Sequence, residues 1–310
     1  MNRDAFTLFF SRPLQRASET TDGHDDWANL DRSKVKQVMF PFGMAALGLS
    51  SPGDHRAEQE TLQGFAQRGL RLVLRMNPQD CERTDPNTAR QVIQQSGARA
   101  VIVHNEPDWD PVRFGMKWGD DWGNNNPNAA RAYAEMLRRW GQALSNLGVQ
   151  LVAGALAMRE WSGNTPALPG QIAWREWLAP VINDLYQGWG AHYYNYDWPV
   201  GNPTPWASVE LDVNIGRFAS WLHWWSSLSH RPIWIDECNL DRGPNTPISQ
   251  EFRMRACLGK AAFCERHERG SRVAMFAPFV SNGFGNAYPP GMVMTDPVCY
   301  DWVRTFMEGR

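Results

Sequence analysis

Three consecutive stretches decide the fold: Ala100-Val101-Ile102-Val103-His104, then NPNAARAYAEMLRRWGQALSNLG over residues 126–148, then Gln150-Leu151-Val152-Ala153-Gly154-Ala155. The two outer runs are short and apolar, as strands buried on both faces are. Between them, Asn126 before Pro127 reads as a helix cap followed by proline at the first helical position. Ala130, Tyr133, Met136, Leu137, Trp140, Ala143, Leu144 and Leu147 then recur at spacings of three and four, and Gly148 stops the run. The unit is strand, helix, strand.

The same alternation extends to both ends of the chain. Further strands are expected at Phe6 to Phe10, Val35 to Phe40, Leu70 to Arg75, Gly188 to Tyr193, Pro232 to Asp236 and Arg272 to Phe276. With the first two they make eight. Helices are expected at Pro52 to Arg68, Pro86 to Ser96, Gln171 to Tyr186, Val209 to Ser229, Ser249 to Glu268 and Pro297 to Met307, with a weaker one near Trp27 to Leu30. Eight repeats favour an α/β fold of one (β/α)8 TIM barrel over a doubly wound sheet. No GxGxxG turn follows the first strand, which counts against a dinucleotide site. Without a linker or internal repeat, residues 1–310 are expected to form a single domain. A barrel places its active site where strands run into the loops that follow them.

Composition narrows the function classes. A chain of 310 residues, 43% hydrophobic and 21% charged, can bury a large core, and a formal charge of -2 lacks the basic footprint of a nucleic-acid binder. Phe6 to Phe10 is too short an apolar patch for a signal-peptide core or a membrane span. The five cysteines form no CxxC pair, so reduced thiols are expected; Cys257 and Cys264, seven apart, should share a buried helix face. Sixteen tryptophans are unusual, and several fall in loops rich in Gly, Pro and Asn, where an indole face can bind a flat apolar surface.

Two carboxylates end expected strands: Glu106 after strand four and Glu237 after strand seven. Burial and a like-charged neighbour can raise one pKa there while hydrogen bonds keep the other group ionised. Glycosidases need such a pair, one group to protonate the leaving oxygen and one to attack the anomeric carbon. Asn105-Glu106-Pro107 and Trp234-Ile235-Asp236-Glu237 resemble the strand-four and strand-seven motifs of the retaining glycoside hydrolases of clan A, which are (β/α)8 barrels. The resemblance implies Glu106 as acid/base, Glu237 as nucleophile and Asn105 as donor to the sugar 2-hydroxyl. His192-Tyr193-Tyr194 resembles the family's His-x-Tyr, implying that the Tyr194 hydroxyl supports the nucleophile and that His192 lies near the acid/base.

The chain departs from that pattern twice. Strand eight lacks the usual tryptophan, so Phe276 or Phe279, or a residue elsewhere, is expected to supply a stacking face. An arginine near the nucleophile has no counterpart on strand two, and Arg75, ending strand three, is the best substitute; pairing with a neighbouring carboxylate is its structural alternative. Several of Trp109, Trp118, Trp122, Trp161, Trp198 and Trp206 are expected to line the cleft, where Asn124, Asn125 and Asn282 can bond hydroxyls. By strand parity His104 should point into the barrel beneath Glu106, and Asp236 should face away from Glu237.

These observations lead to a retaining glycoside hydrolase acting on a β-linked oligo- or polysaccharide, with no metal or organic cofactor, no nucleic-acid partner and no membrane. A non-catalytic carbohydrate-binding barrel is the alternative. Aldolases and metal-dependent hydrolases rank lower, since no strand-end lysine or His/Asp cluster is present. A cytoplasmic location is expected, with release by lysis or in a phage particle as other routes.

Overall fold

The computed structural model describes residues 1–20, 23–50, 55–106, 127–156, 169–195, 208–240, 250–278 and 296–309. Eight strands occur where the apolar runs predict them: β1 (Thr7–Phe9), β2 (Gln37–Pro41), β3 (Arg71–Arg75), β4 (Ala100–Val103), β5 (Gln150–Ala153), β6 (Gly188–Asn195), β7 (Ile233–Leu240) and β8 (Val273–Pro278). All pair in parallel with their sequence neighbours in the order β1 to β8, and a parallel bridge between Phe6 and Phe276 brings the sheet's two edges together. This is a (β/α)8 barrel.

The helices are α1 (Asp26–Ser33), α2 (Phe42–Ser50), α3 (Arg56–Gln67), α4 (Pro78–Arg83), α5 (Pro86–Ser96), α6 (Pro127–Leu144), α7 (Pro169–Leu185), α8 (Ser208–Leu228), α9 (Gln250–Arg266) and α10 (Pro297–Glu308). Their ends follow the local chemistry. Asp85 caps α5 by accepting from the Asn87 and Thr88 amides, Pro86 opens it, and Gly97 closes it at φ 68°. Two helices, α2 and α4, were not anticipated. The FGMAALGLS run of α2 is apolar all round, so it carries no amphipathic period to read.

Strand alternation divides the core into two layers. Val38, Leu72, Leu74, Val101, Leu151, Trp189, Ala191, Ile233 and Ile235 face outward against the helices. Phe9, Met39, Val73, Ala100, Ile102, Val152, Trp234, Met275 and Ala277 fill the barrel. Trp234 is the bulkiest of these, and its ring fits because Gly188 stands opposite: a Cβ there would lie 2.5 Å from the indole. Burying that indole stabilises the fold by at most about 5 kcal/mol.

All five cysteines are free and buried, and Cys257 and Cys264 do sit together in the helix-facing core. Among the described residues, no helix is long and apolar enough to cross a membrane.

Candidate active site

Four strands deliver charged side chains to one end of the barrel. On β3 the alternation Arg71, Val73, Arg75 carries Arg75 inward, where its guanidinium lies 5.3 Å from the centroid of the Phe9 ring and contacts Glu237 Oε1. On β6, Gly188, Gly190 and His192 face inward, and His192 is fully buried. Its Nδ1 lies 2.8 Å from Glu106 Oε1 and 3.5 Å from Glu237 Oε2. Its Nε2 lies 3.5 Å from Asp236 Oδ2. Donor atoms of Glu106, His192 and Glu237 all fall within 4.8 Å of one another.

The end of β4 is distorted. His104 and Glu106 adopt φ of 74° and 43°, two of the three non-glycine residues with positive φ among those described. Left-handed backbone costs about 1–2 kcal/mol per residue, and such strain tends to collect at functional sites. The twist corrects the parity expectation for His104, whose ring packs 5.2 Å from Tyr133 of α6 instead of entering the barrel. It also presses the chain onto β5. A Cβ at residue 154 would lie 2.1 Å from the His104 carbonyl oxygen, so only Gly154 fits. Beyond the twist, the Glu106 amide donates to Ala155 O at 2.9 Å and the side chain turns toward His192.

At the end of β7 the register slips. Ala191 pairs with Ile235 but His192 pairs with Glu237, leaving Asp236 as an extra residue. A bulge of this kind places two side chains opposite one and re-aims the strand. Asp236 and Glu237 therefore both reach the site, and the expectation that Asp236 faces away is corrected. Gly190 lies between β5 and this carboxylate, where a Cβ would come 2.8 Å from the Ala155 amide nitrogen and 3.1 Å from Asp236 Oδ1.

Three carboxylates (Glu106, Asp236, Glu237) and two basic side chains (Arg75, His192) meet in the cluster. Burial opposes charge on His192, yet the fields of Glu237 and Asp236 hold its pKa well above the usual imidazole value. Arg75 is likewise raised, with Glu237 and Asp236 outweighing its burial. Burial pushes the Glu237 carboxyl up, against the pull of Arg75 and His192. Glu106 is also buried enough to favour protonation, but the hydrogen bond and charge of His192, with Arg75, bring it below the usual carboxylate range.

Glu106, His192 and Glu237 have the spacing of metal ligands. Their surroundings do not suit a cation, because the Arg75 guanidinium already occupies Glu237 and a charged His192 has no lone pair to give.

The remaining predicted residues divide three ways. Asn105 follows β4 half-buried, and its Oδ1 has no hydrogen-bond partner among the described residues. Tyr194 lies on β6 in register with Asn239, but its side chain is outside the described residues. The same holds for Phe279, Trp109, Trp118, Trp122, Trp161, Trp198, Trp206 and the three loop asparagines. Phe276 is corrected: it faces the helices, fully buried, with ring centroids 6.1 Å from Phe6 and 6.4 Å from Phe218, and offers no face to a ligand. Asp236, Gly154 and Gly190 were missed. The adjacent acids of Trp234-Ile235-Asp236-Glu237 were the only available signal, since an inserted residue is invisible in a strand's own sequence.

No protein-family model matches the chain, and no curated protein matches it in sequence. Solved structures do resemble it in fold. A GH51 arabinofuranosidase from Xanthomonas axonopodis pv. citri superposes with TM-score 0.60 at 12% identity, covering 98% of this chain and 73% of that one. A GH128 (subgroup I) endo-β-1,3-glucanase from Amycolatopsis mediterranei, in complex with laminaritriose, gives 0.55 at 16% identity over 97% and 99%. A GH1 β-glucosidase from Exiguobacterium antarcticum B7 gives 0.54 at 12% over 90% and 89%. At these identities the likeness is one of fold: the chain shares a (β/α)8 barrel with these glycoside hydrolases.

Proposed function

We propose that this protein is a retaining glycoside hydrolase that cleaves a β-linked glycoside or polysaccharide by double displacement. One observation carries the reading: carboxylate oxygens from the ends of β4 and β7 approach within 4.8 Å, with Glu237 buried and Glu106 partly exposed. Retaining enzymes hold their carboxyl groups about 5–5.5 Å apart, whereas inverting enzymes need about 6.5–9.5 Å to seat a water between them. The narrow gap supports direct attack by one carboxylate.

Glu237 is the nucleophile in this reading. The Arg75 guanidinium gives its carboxylate form a fixed partner, and its rigid strand aims it at the anomeric carbon. Glu106 is the acid/base. Its side chain is 24% exposed, against 5% for Glu237, so it is the group a leaving sugar can reach. In the free protein the field favours a proton on Glu237 over Glu106, the reverse of the starting state for catalysis. Substrate binding would correct this by displacing water from Glu106, since desolvation raises a carboxyl pKa. Glu106 then protonates the leaving oxygen as Glu237 bonds to C1, and afterwards takes a proton from the water that releases the sugar. Asn105 is assigned to the sugar 2-hydroxyl and Tyr194 to Glu237, on the motif resemblance. Laminari-oligosaccharides, bound by the Amycolatopsis protein, are the first substrates to test.

The test is chemical rescue. Glu106→Ala should still attack activated aryl β-glycosides, and azide should restore turnover and yield the β-glycosyl azide, the retained product. Glu237→Ala should lose glycosyl-enzyme formation, with azide giving the α-product. Wild-type turnover in both variants would remove the carboxylate assignment, and reversed configurations would swap the roles. Tight oligosaccharide binding without product, in the wild type, would select the carbohydrate-binding alternative.

A further inference from the structure

Asp236 is a buried carboxylate that the two-glutamate mechanism does not use. It sits at the bulge of β7, where the shift in register lets Asp236 and Glu237 face inward side by side. Its side chain is fully buried, and its oxygens have no hydrogen-bond partner among the described residues. A buried anion costs several kcal/mol unless a cation compensates it. The groups able to do so are His192, with Nε2 at 3.5 Å, and Arg75. If Asp236 only filled space, an uncharged residue would serve without that penalty.

We propose that Asp236 is a positioning residue that keeps His192 an imidazolium, so that Nδ1–H is held toward Glu106 and Glu237 while Nε2–H faces Asp236. The inference rests on the retaining reading of the two glutamates. A neutral imidazole carries one N–H and could serve only one side of the ring. With a carboxylate on each side, the doubly protonated form is the one that satisfies both. The charged groups recorded against His192 are Glu106 at the end of β4 and Asp236 and Glu237 on β7, with Arg75 of β3 paired to Glu237. The fixed charge has a use in turnover: when Glu106 gives its proton to the leaving oxygen, the carboxylate that forms already has a cation 2.8 Å away.

The experiment combines ¹⁵N NMR of the histidine side chains with kcat/KM pH profiles for wild type and Asp236→Asn, using an aryl β-glycoside the wild type cleaves. His192 is expected doubly protonated at neutral pH in the wild type. In Asp236→Asn it should titrate at least about one pH unit lower. The alkaline limb of kcat/KM should move in the same direction, with acid-side activity kept within a few-fold. A purely structural role would lower activity at every pH and leave the limb in place, which overturns the proposal. An unchanged His192 titration in the variant overturns it too. Should Asp236→Asn fail to fold, the wild-type spectrum alone decides, because a neutral His192 at pH 7 is incompatible with the proposal. An active Glu237→Gln would sink the retaining reading without touching the His192 titration, so the two failures are distinguishable.

Discussion

At the end of β4 the backbone twists, with His104 and Glu106 in left-handed conformations pressed against Gly154, whereas at the end of β7 the backbone lengthens, with Asp236 inserted. Both devices aim a glutamate at the barrel mouth. The twist concentrates conformational strain in two residues and depends on one glycine in the next strand. The bulge keeps φ negative and loses ladder pairing instead, but it gains a second inward side chain. Each end therefore has its own point of failure, and substitutions can separate them.

The largest effect is expected beneath the bulge. Trp234→Ala should destabilise the protein by about 3–5 kcal/mol, because the indole plugs the barrel against Gly188 and the space left cannot collapse. Urea denaturation measures this, and a loss below about 1 kcal/mol would mean the bulge does not lean on the plug. Next comes the twist. Gly154→Ala should cost about 3 kcal/mol, since its Cβ meets the backbone oxygen of His104 and not a movable side chain. A neutral Gly154→Ala would show that β4 does not need the close approach.

A smaller contrast tests the backbone directly. Glu106→Gly should be more stable than Glu106→Ala by about 1 kcal/mol, because glycine tolerates φ 43°. At Glu237 the order should invert by a similar amount, since glycine weakens an extended strand. The same order at both sites in thermal unfolding would erase the distinction.

The finest effect is a slope. Glu106 has a folded pKa below its unfolded value, so the stability it adds is full above about pH 4.5 and is lost as pH falls through the folded value. Glu237 has a folded pKa above its unfolded value, so its contribution is full below about pH 4.5 and is lost as pH rises through the folded value. Stability differences between wild type and Glu106→Gln should then grow with pH, and those between wild type and Glu237→Gln should shrink. Parallel curves would contradict the opposed environments of the two groups.

Much of this was legible in one dimension. Eight apolar runs, the Asn126-Pro127 start and Gly148 stop, and the period of α6 determined the barrel, because strand burial, helix caps and amphipathic faces are written in local residue order. The motifs on strands four and seven named both glutamates, and the same family resemblance, joined to strand position, singled out Arg75 and His192. What only the tertiary structure decided was direction. Parity assigns a face by counting residues, and counting fails wherever φ turns positive or a residue is inserted. Those two events turned His104 out toward Tyr133 and set Asp236 and Glu237 together beside His192. Both depend on neighbouring strands, on Gly154 yielding space to β4 and Gly190 lying between β5 and the Asp236 carboxylate. Phe276 was misread for a related reason: an aromatic residue at a strand end looks the same in sequence whether it faces the cleft or the helices. Only its packing on Phe6 and Phe218 tells which.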